Sequence, residues 1–130
     1  MNKKTIIVLI ICVLAFPNLP FINKYIALKV DSDYYRYANR DGSYTILQDF
    51  SFKSPGFSTF GFERFVEEAS PSEENRTLYR LYRIDPLCFW RWKKYIIESR
   101  HLDHMDWEEI KQRRSANNKD AKKMSRWQDF

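Results

Sequence analysis

The chain has 130 residues, 22 of them basic and 17 acidic, for a net charge of +5. Two cysteines exclude a disulfide scaffold, and three glycines leave little from which to build a phosphate-cradling loop. The basic excess is not a nucleic-acid signature either: residues 23–110 hold 13 basic and 15 acidic side chains, whereas residues 111–130 hold 7 and 2.

Residues 5–22, TIIVLIICVLAFPNLPFI, carry no charge. As a helix they would span about 27 Å, close to the hydrocarbon thickness of a bilayer, with no polar face to suit water. Lys3 and Lys4 precede the run, and a short positive flank stays on the cytoplasmic side, so the rest of the chain is expected to be extracytoplasmic. Retained anchor and cleaved signal peptide are both open, as is a buried soluble helix. The one tolerable cleavage point follows Ala15 and leaves a very short leader, so a retained single-pass anchor in membrane lipid is the expectation. Ile11 stands where a lipoprotein leader needs a small residue before Cys12, which argues against lipidation. Pro17 and Pro20 mark the exit from the membrane.

Behind this segment, residues 23–114 are expected to form one small α+β domain, with residues 115–130 as a basic flexible tail. Ten Phe, eight Tyr and four Trp must supply most of the packing, since Cys88 is alone outside the leader and reads as a small buried hydrophobe. Lys24 and Tyr25 suit a headgroup layer, and the alternation of Ile26, Leu28 and Val30 favours a first strand over a helical turn. Residues 34–40 and 43–50 flank Asp41-Gly42, the signal of a two-residue hairpin turn with positive φ at both positions. In that register Arg40 faces Ser43, and Tyr35, Tyr37, Tyr44 and Ile46 share the core face. Arg36 and Asp49 meet diagonally on the other face.

Pro55-Gly56 predicts a turn. After it Phe57, Phe60, Phe62 and Phe65 predict a strand broken by Gly61, or an irregular aromatic segment under the sheet. Residues 67–76 predict a surface loop, in which Asn75-Arg76-Thr77 matches a glycosylation pattern common by chance. Residues 77–84 alternate as a strand that places Arg80 with Leu78, Tyr82 and Ile84, and Arg83 on the opposite face. Asp85-Pro86 predicts the start of a helix. Its apolar face would carry Leu87, Cys88, Trp92, Tyr95 and Ile96, with Arg91, Lys94 and Glu98 outside; Phe89 and Trp90 widen that face.

His101, Asp103, His104 and Asp106 are the one cluster that suggests metal chemistry, and their spacing matches no recognised site. Asp106 reads better as the cap of a last helix, with Glu109 completing a capping box. Beyond Arg114 the pattern fades, with Trp127 and Phe130 as a terminal docking point.

The expected architecture is therefore α+β: an N-terminal transmembrane or signal helix, an antiparallel sheet of about four strands, and two C-terminal helices covering it. No cofactor, catalytic residue or specific nucleic acid is implied. The function expected is a membrane-tethered or exported binding module, of accessory, inhibitor or immunity type, for a protein partner. Its contact residues would come from Trp90, Arg91, Trp92, Arg80, Arg83, Phe57 and Phe60, since aromatics and arginine concentrate at interfaces. The alternatives are a metal-dependent enzyme on the His101–Asp106 cluster and an electrostatic binder of anionic lipid or polymer.

Overall fold

The apolar leader is helical, and its prolines decide where it bends. The computed structural model describes residues 2–31, 34–47, 57–97, 99–116, 125–128 and 130. Helix α1 is Lys3–Ala15 and buries none of its residues. A single 3-10 turn, Phe16–Asn18, follows it, with Pro17 at a starting position where the missing N–H costs no hydrogen bond. Leu19 is extended (φ −64°, ψ 140°), as the residue before a proline must be, and Pro20 then opens helix α2, Pro20–Val30. No single helix among the described residues is long and apolar enough to cross a membrane. The pair Lys3–Asn18 and Pro20–Val30 passes together on length and composition, bent by 67°.

Residues 26–30 are thus helical, against the expected strand. Pro20 pre-sets the first turn, and Asn23, Ala27 and Asp31 at i, i+4 and i+8 give one stripe that faces the domain, with Ala27 and Asp31 buried.

Among the described residues the sheet has three antiparallel strands where about four were expected: β1 (Arg36–Asn39), β2 (Thr45–Leu47) and β3 (Leu78–Arg80), in the order β2-β1-β3. Tyr37 faces Ile46 and Ala38 faces Thr45, which is the register expected from Arg40 opposite Ser43. Tyr35, Tyr37, Tyr44 and Ile46 are all buried on one face. The turn differs in form, because Gly42 alone has positive φ (+69°). Asp41 Oδ1 accepts from the Ser43 N–H at 3.0 Å, and Asn39 Oδ1 accepts from the Tyr44 N–H at 2.9 Å, so side-chain oxygens close a longer loop. Asp49, Pro55 and Gly56 lie outside the described residues.

The other sheet face is covered as well. Ala38 and Thr45 are buried, and the C-terminal helix Trp107–Ala116 packs so close to the turn that a Cβ on Gly42 would lie 3.0 Å from Ile110. Each sheet edge is met at one point by the chain itself, Thr45 bridging Gln128 and Arg80 bridging His104.

Phe57–Ala69 is helix α3, not a strand or an irregular segment. Phe62 and Phe65, three apart, turn inward with ring centroids 5.2 Å from that of Tyr44. Gly61 supplies clearance: a Cβ there would stand 2.7 Å from the Tyr44 hydroxyl. The helix closes with Ser70 in the left-handed region (φ +46°), its N–H donating to Val66 O, and Pro71 ends it, so residues 67–69 are helix and the loop begins later than expected.

The strand expected over residues 77–84 pairs only over Leu78–Arg80. The helix expected from Pro86 starts later too. Asp85 Oδ1 accepts from the Leu87 N–H at 2.9 Å and caps a turn, a 3-10 turn spans Phe89–Arg91, and helix α4 is Trp92–Ile97. Helix α5, Trp107–Ala116, begins directly after Asp106 as the sequence indicates. Two C-terminal helices are present, and α3 is a third helix on the sheet.

Candidate functional site

The distinctive chemistry gathers where the leader meets the aromatic domain. Asp31 ends α2 with 2% exposure. Its Oδ1 accepts from Arg91 Nε at 3.1 Å and pairs with Arg91 Nη2, and its Oδ2 accepts from Trp90 Nε1 at 3.3 Å. The Arg91 guanidinium also lies 3.5 Å from the centre of the Tyr34 ring. Burial pulls the Arg91 guanidinium down, but hydrogen bonds to Asp31 and Tyr95 and the Asp31 charge outweigh it, leaving the group above its ordinary value. The Tyr34 hydroxyl bonds the Tyr95 hydroxyl at 2.8 Å and donates to Arg83 O. Its acidity is suppressed by burial first and the Tyr95 hydrogen bond second.

Two asparagines clamp the bend to the same segment. Asn18 Nδ2 donates to Leu14 O at 3.0 Å and to Phe89 O at 2.8 Å, while Asn18 Oδ1 accepts from the Lys93 N–H at 3.2 Å. Asn23 Nδ2 donates to Trp90 O at 2.5 Å and Pro17 O at 3.2 Å. The leader is therefore bolted to the domain through its own proline bend. Sequence reading passed over Asn18, Asn23 and Asp31; the available signal was a lone amide, Asn18, between two prolines in an apolar run.

This latch turns α4 over. Arg91 and Tyr95 point inward with Lys94, whose ammonium lies 4.5 Å from the centre of the Tyr35 ring, while Trp92, Ile96 and Leu87 face out. The apolar face expected on the inside is thus largely outside, because the Asp31 contact holds the Arg91 edge against the domain. Trp92 Nε1 donates to Pro86 O at 2.8 Å, so its indole presents carbon outward. Between α1 and α4 lies a groove of about 470 Å³.

The residues nominated from sequence do not form one surface. Trp90 and Arg91 are absorbed in the latch and Trp92 lines the groove. Arg80 is held inward, Nε on Leu102 O at 3.0 Å and Nη1 on Tyr82 O at 2.6 Å. Arg83 is exposed and 3.4 Å from Asp106. Phe60 is 69% exposed on α3, and Phe57 is that helix's first residue.

Near the second candidate, Arg80 donates its N–H to Asp103 O and accepts from the Met105 N–H, so the stretch around His104 serves as edge backbone. His104 Nε2 lies 3.8 Å from Asp106, and among the described residues no three His, Cys, Asp or Glu side chains come together to hold a metal ion. The Asn75 amide is engaged by Asp41 at 2.7 Å and Ser72 at 3.1 Å. Cys88 is partly buried, its thiol raised by burial first and, against the Arg91 charge, by the Asp85 hydrogen bond. Comparison with family models, with curated proteins and with solved structures finds no match for this chain.

Proposed function

We propose that the protein is a membrane-tethered, non-enzymatic binding module, its first helix in lipid and its aromatic domain on the extracytoplasmic side. The observation that carries this reading is the junction. A helix with no charge from Thr5 to Ala15 and no buried residue emerges through a proline bend whose amides are hydrogen-bonded to the folded domain. A helix apolar all round has no stable place in water, and Lys3 and Lys4 orient it. The domain behind it recognises a protein partner, and among the described side chains nominated for that purpose Phe60 and Arg83 are exposed outside the latch and the groove.

Two measurements test the reading. A C-terminal reporter active only outside the cytoplasm should be active, and one active only inside should be silent; the reverse sinks the orientation. A photo-crosslinker at Phe60 should capture a discrete adduct in cells, lost with Arg83→Glu. A crosslinker that returns only the uncoupled chain removes the partner.

A further inference from the structure

We propose that the groove between α1 and α4 holds a lipid acyl chain, so that the domain lies flat on the bilayer with the outer face of α4 immersed at its edge. This rests on the membrane reading of α1 and goes beyond it, since a tether alone does not place the domain.

The argument is one of depth. Ile11, Leu14 and Ala15 form one wall of the groove and Trp92, Lys93 and Ile96 the other. Ile96 therefore borders the same groove as Ile11, which is about 10 Å up the helix from Asn18 at 1.5 Å per residue. If α1 is in hydrocarbon along this groove, an acyl chain that fills it lies against Ile96 too. The bend enforces this placement. The unbroken run Lys3–Asn18 is about 24 Å long, short of the roughly 30 Å hydrocarbon layer, and a short span draws its flanking surface into the membrane.

The groove's chemistry suits an aliphatic chain. Asn18, one of two polar lining residues with Lys93, has its amide and its carbonyl oxygen already bonded to Leu14, Phe89 and Lys93 backbone. Trp92 has its N–H satisfied by Pro86. Ile96 is 62% and Leu87 84% exposed, so the domain itself covers neither side chain. Lys93 supplies an exposed ammonium at the rim, placed for lipid phosphate in the manner of interfacial helices.

The test uses the full chain with Cys12→Ser and Cys88→Ala, reconstituted in phosphatidylcholine vesicles. A single cysteine replaces Ile11, Ile96, Lys93 or the exposed Glu108 and carries a polarity-sensitive fluorophore. Near-ultraviolet circular dichroism confirms that each protein is folded. With lipids brominated on the acyl chains, positions 11 and 96 should lose most of their emission, position 93 less and position 108 none. Quenching at 11 but not at 96 or 93 overturns the proposal and leaves the anchor standing. Quenching at neither 11 nor 96 removes the anchor reading and this proposal with it. A blue-shifted but unquenched signal at 96 means that protein covers the groove, which also overturns it.

Discussion

Asp31 and Arg91, 60 positions apart in the chain, form a nearly dry ion pair whose side chains are 2% and 12% exposed. A buried pair is not in itself a large source of stability, since desolvation offsets much of the attraction, but removing one partner strands the other. Asp31→Ala is therefore expected to cost about 3 to 5 kcal/mol and to release Trp90 as well. Asp31→Asn should cost less. Chemical denaturation followed by near-ultraviolet circular dichroism measures both; equal, small losses would mean that the pair does not hold the junction.

Gly61 lies where helix propensity and packing oppose one another. Alanine at an exposed helical site gains about 1 kcal/mol over glycine. Here the added Cβ would be 2.7 Å from the hydroxyl of Tyr44, a buried ring fixed against Phe62 and Phe65. Gly61→Ala should destabilise by about 1 to 3 kcal/mol, as overpacked sites do. The obstacle is the hydroxyl alone, the ring carbon behind it being 3.9 Å away. Tyr44→Phe should thus rescue Gly61→Ala, the double variant being more stable than the two single losses predict.

These cases show what local pattern carries. The hairpin is legible because its signals are contiguous: alternating tyrosines and a glycine that tolerates positive φ. Helix α3 is not, because phenylalanines at 57, 60, 62 and 65 fit either period and Gly61 reads as a breaker until Tyr44 is seen to need its space. Helix α4 is misread in phase for the same physical reason. Arg91 and Lys94 look like a solvent face, and only Asp31, supplied by α2, turns that side inward. The leader's composition was plain, and its attachment to Phe89 and Trp90 was not, since no pattern links an amide to a distant carbonyl.

That attachment makes its own prediction. Asn18→Ala deletes hydrogen bonds to two backbone carbonyls and one backbone N–H. A loss of about 1 to 3 kcal/mol is expected if those groups are left unmet. The structural consequence is separate: with Asn18 and Asn23 both changed to alanine the domain should move freely relative to α1. Spin labels on α1 and α5 would show a narrow distance distribution in the parent and a broad one in the variant.

Trp127 and Phe130, the docking point expected from the sequence, both meet aromatic rings of the domain. Trp127 is half-buried with its ring 5.8 Å from that of Phe65, and Phe130 stacks edge-on to Trp107 at 5.2 Å. Arg126 reaches Glu68 at 3.1 Å; Glu68 is held below the usual carboxylate range chiefly by its hydrogen bond to Arg64. That exposed pair adds little. Trp127→Ala is expected to cost about 2 kcal/mol, roughly half the value for a fully buried indole. Arg126→Ala should be near neutral, and a comparable loss from both would point to charge rather than packing.

Alkaline titration reads the tyrosine cluster directly. Tyr35 is 2% exposed, and burial first, then the nearby Asp31 charge, raise its hydroxyl above the ordinary value of 10.0; Tyr34 is raised by burial and by Tyr95. The folded state therefore keeps these protons after the unfolded chain has lost them. Stability from this source is full below about pH 10 and falls as pH rises through that value, because the unfolded state then binds fewer protons than the folded one. The slope should approach about 1.4 kcal/mol per pH unit for Tyr35. Melting temperature followed from pH 8 to beyond the ordinary tyrosine value should drop, with absorbance at the tyrosinate band lagging until the protein unfolds. Tyr35→Phe removes one titrating group and should flatten that decline.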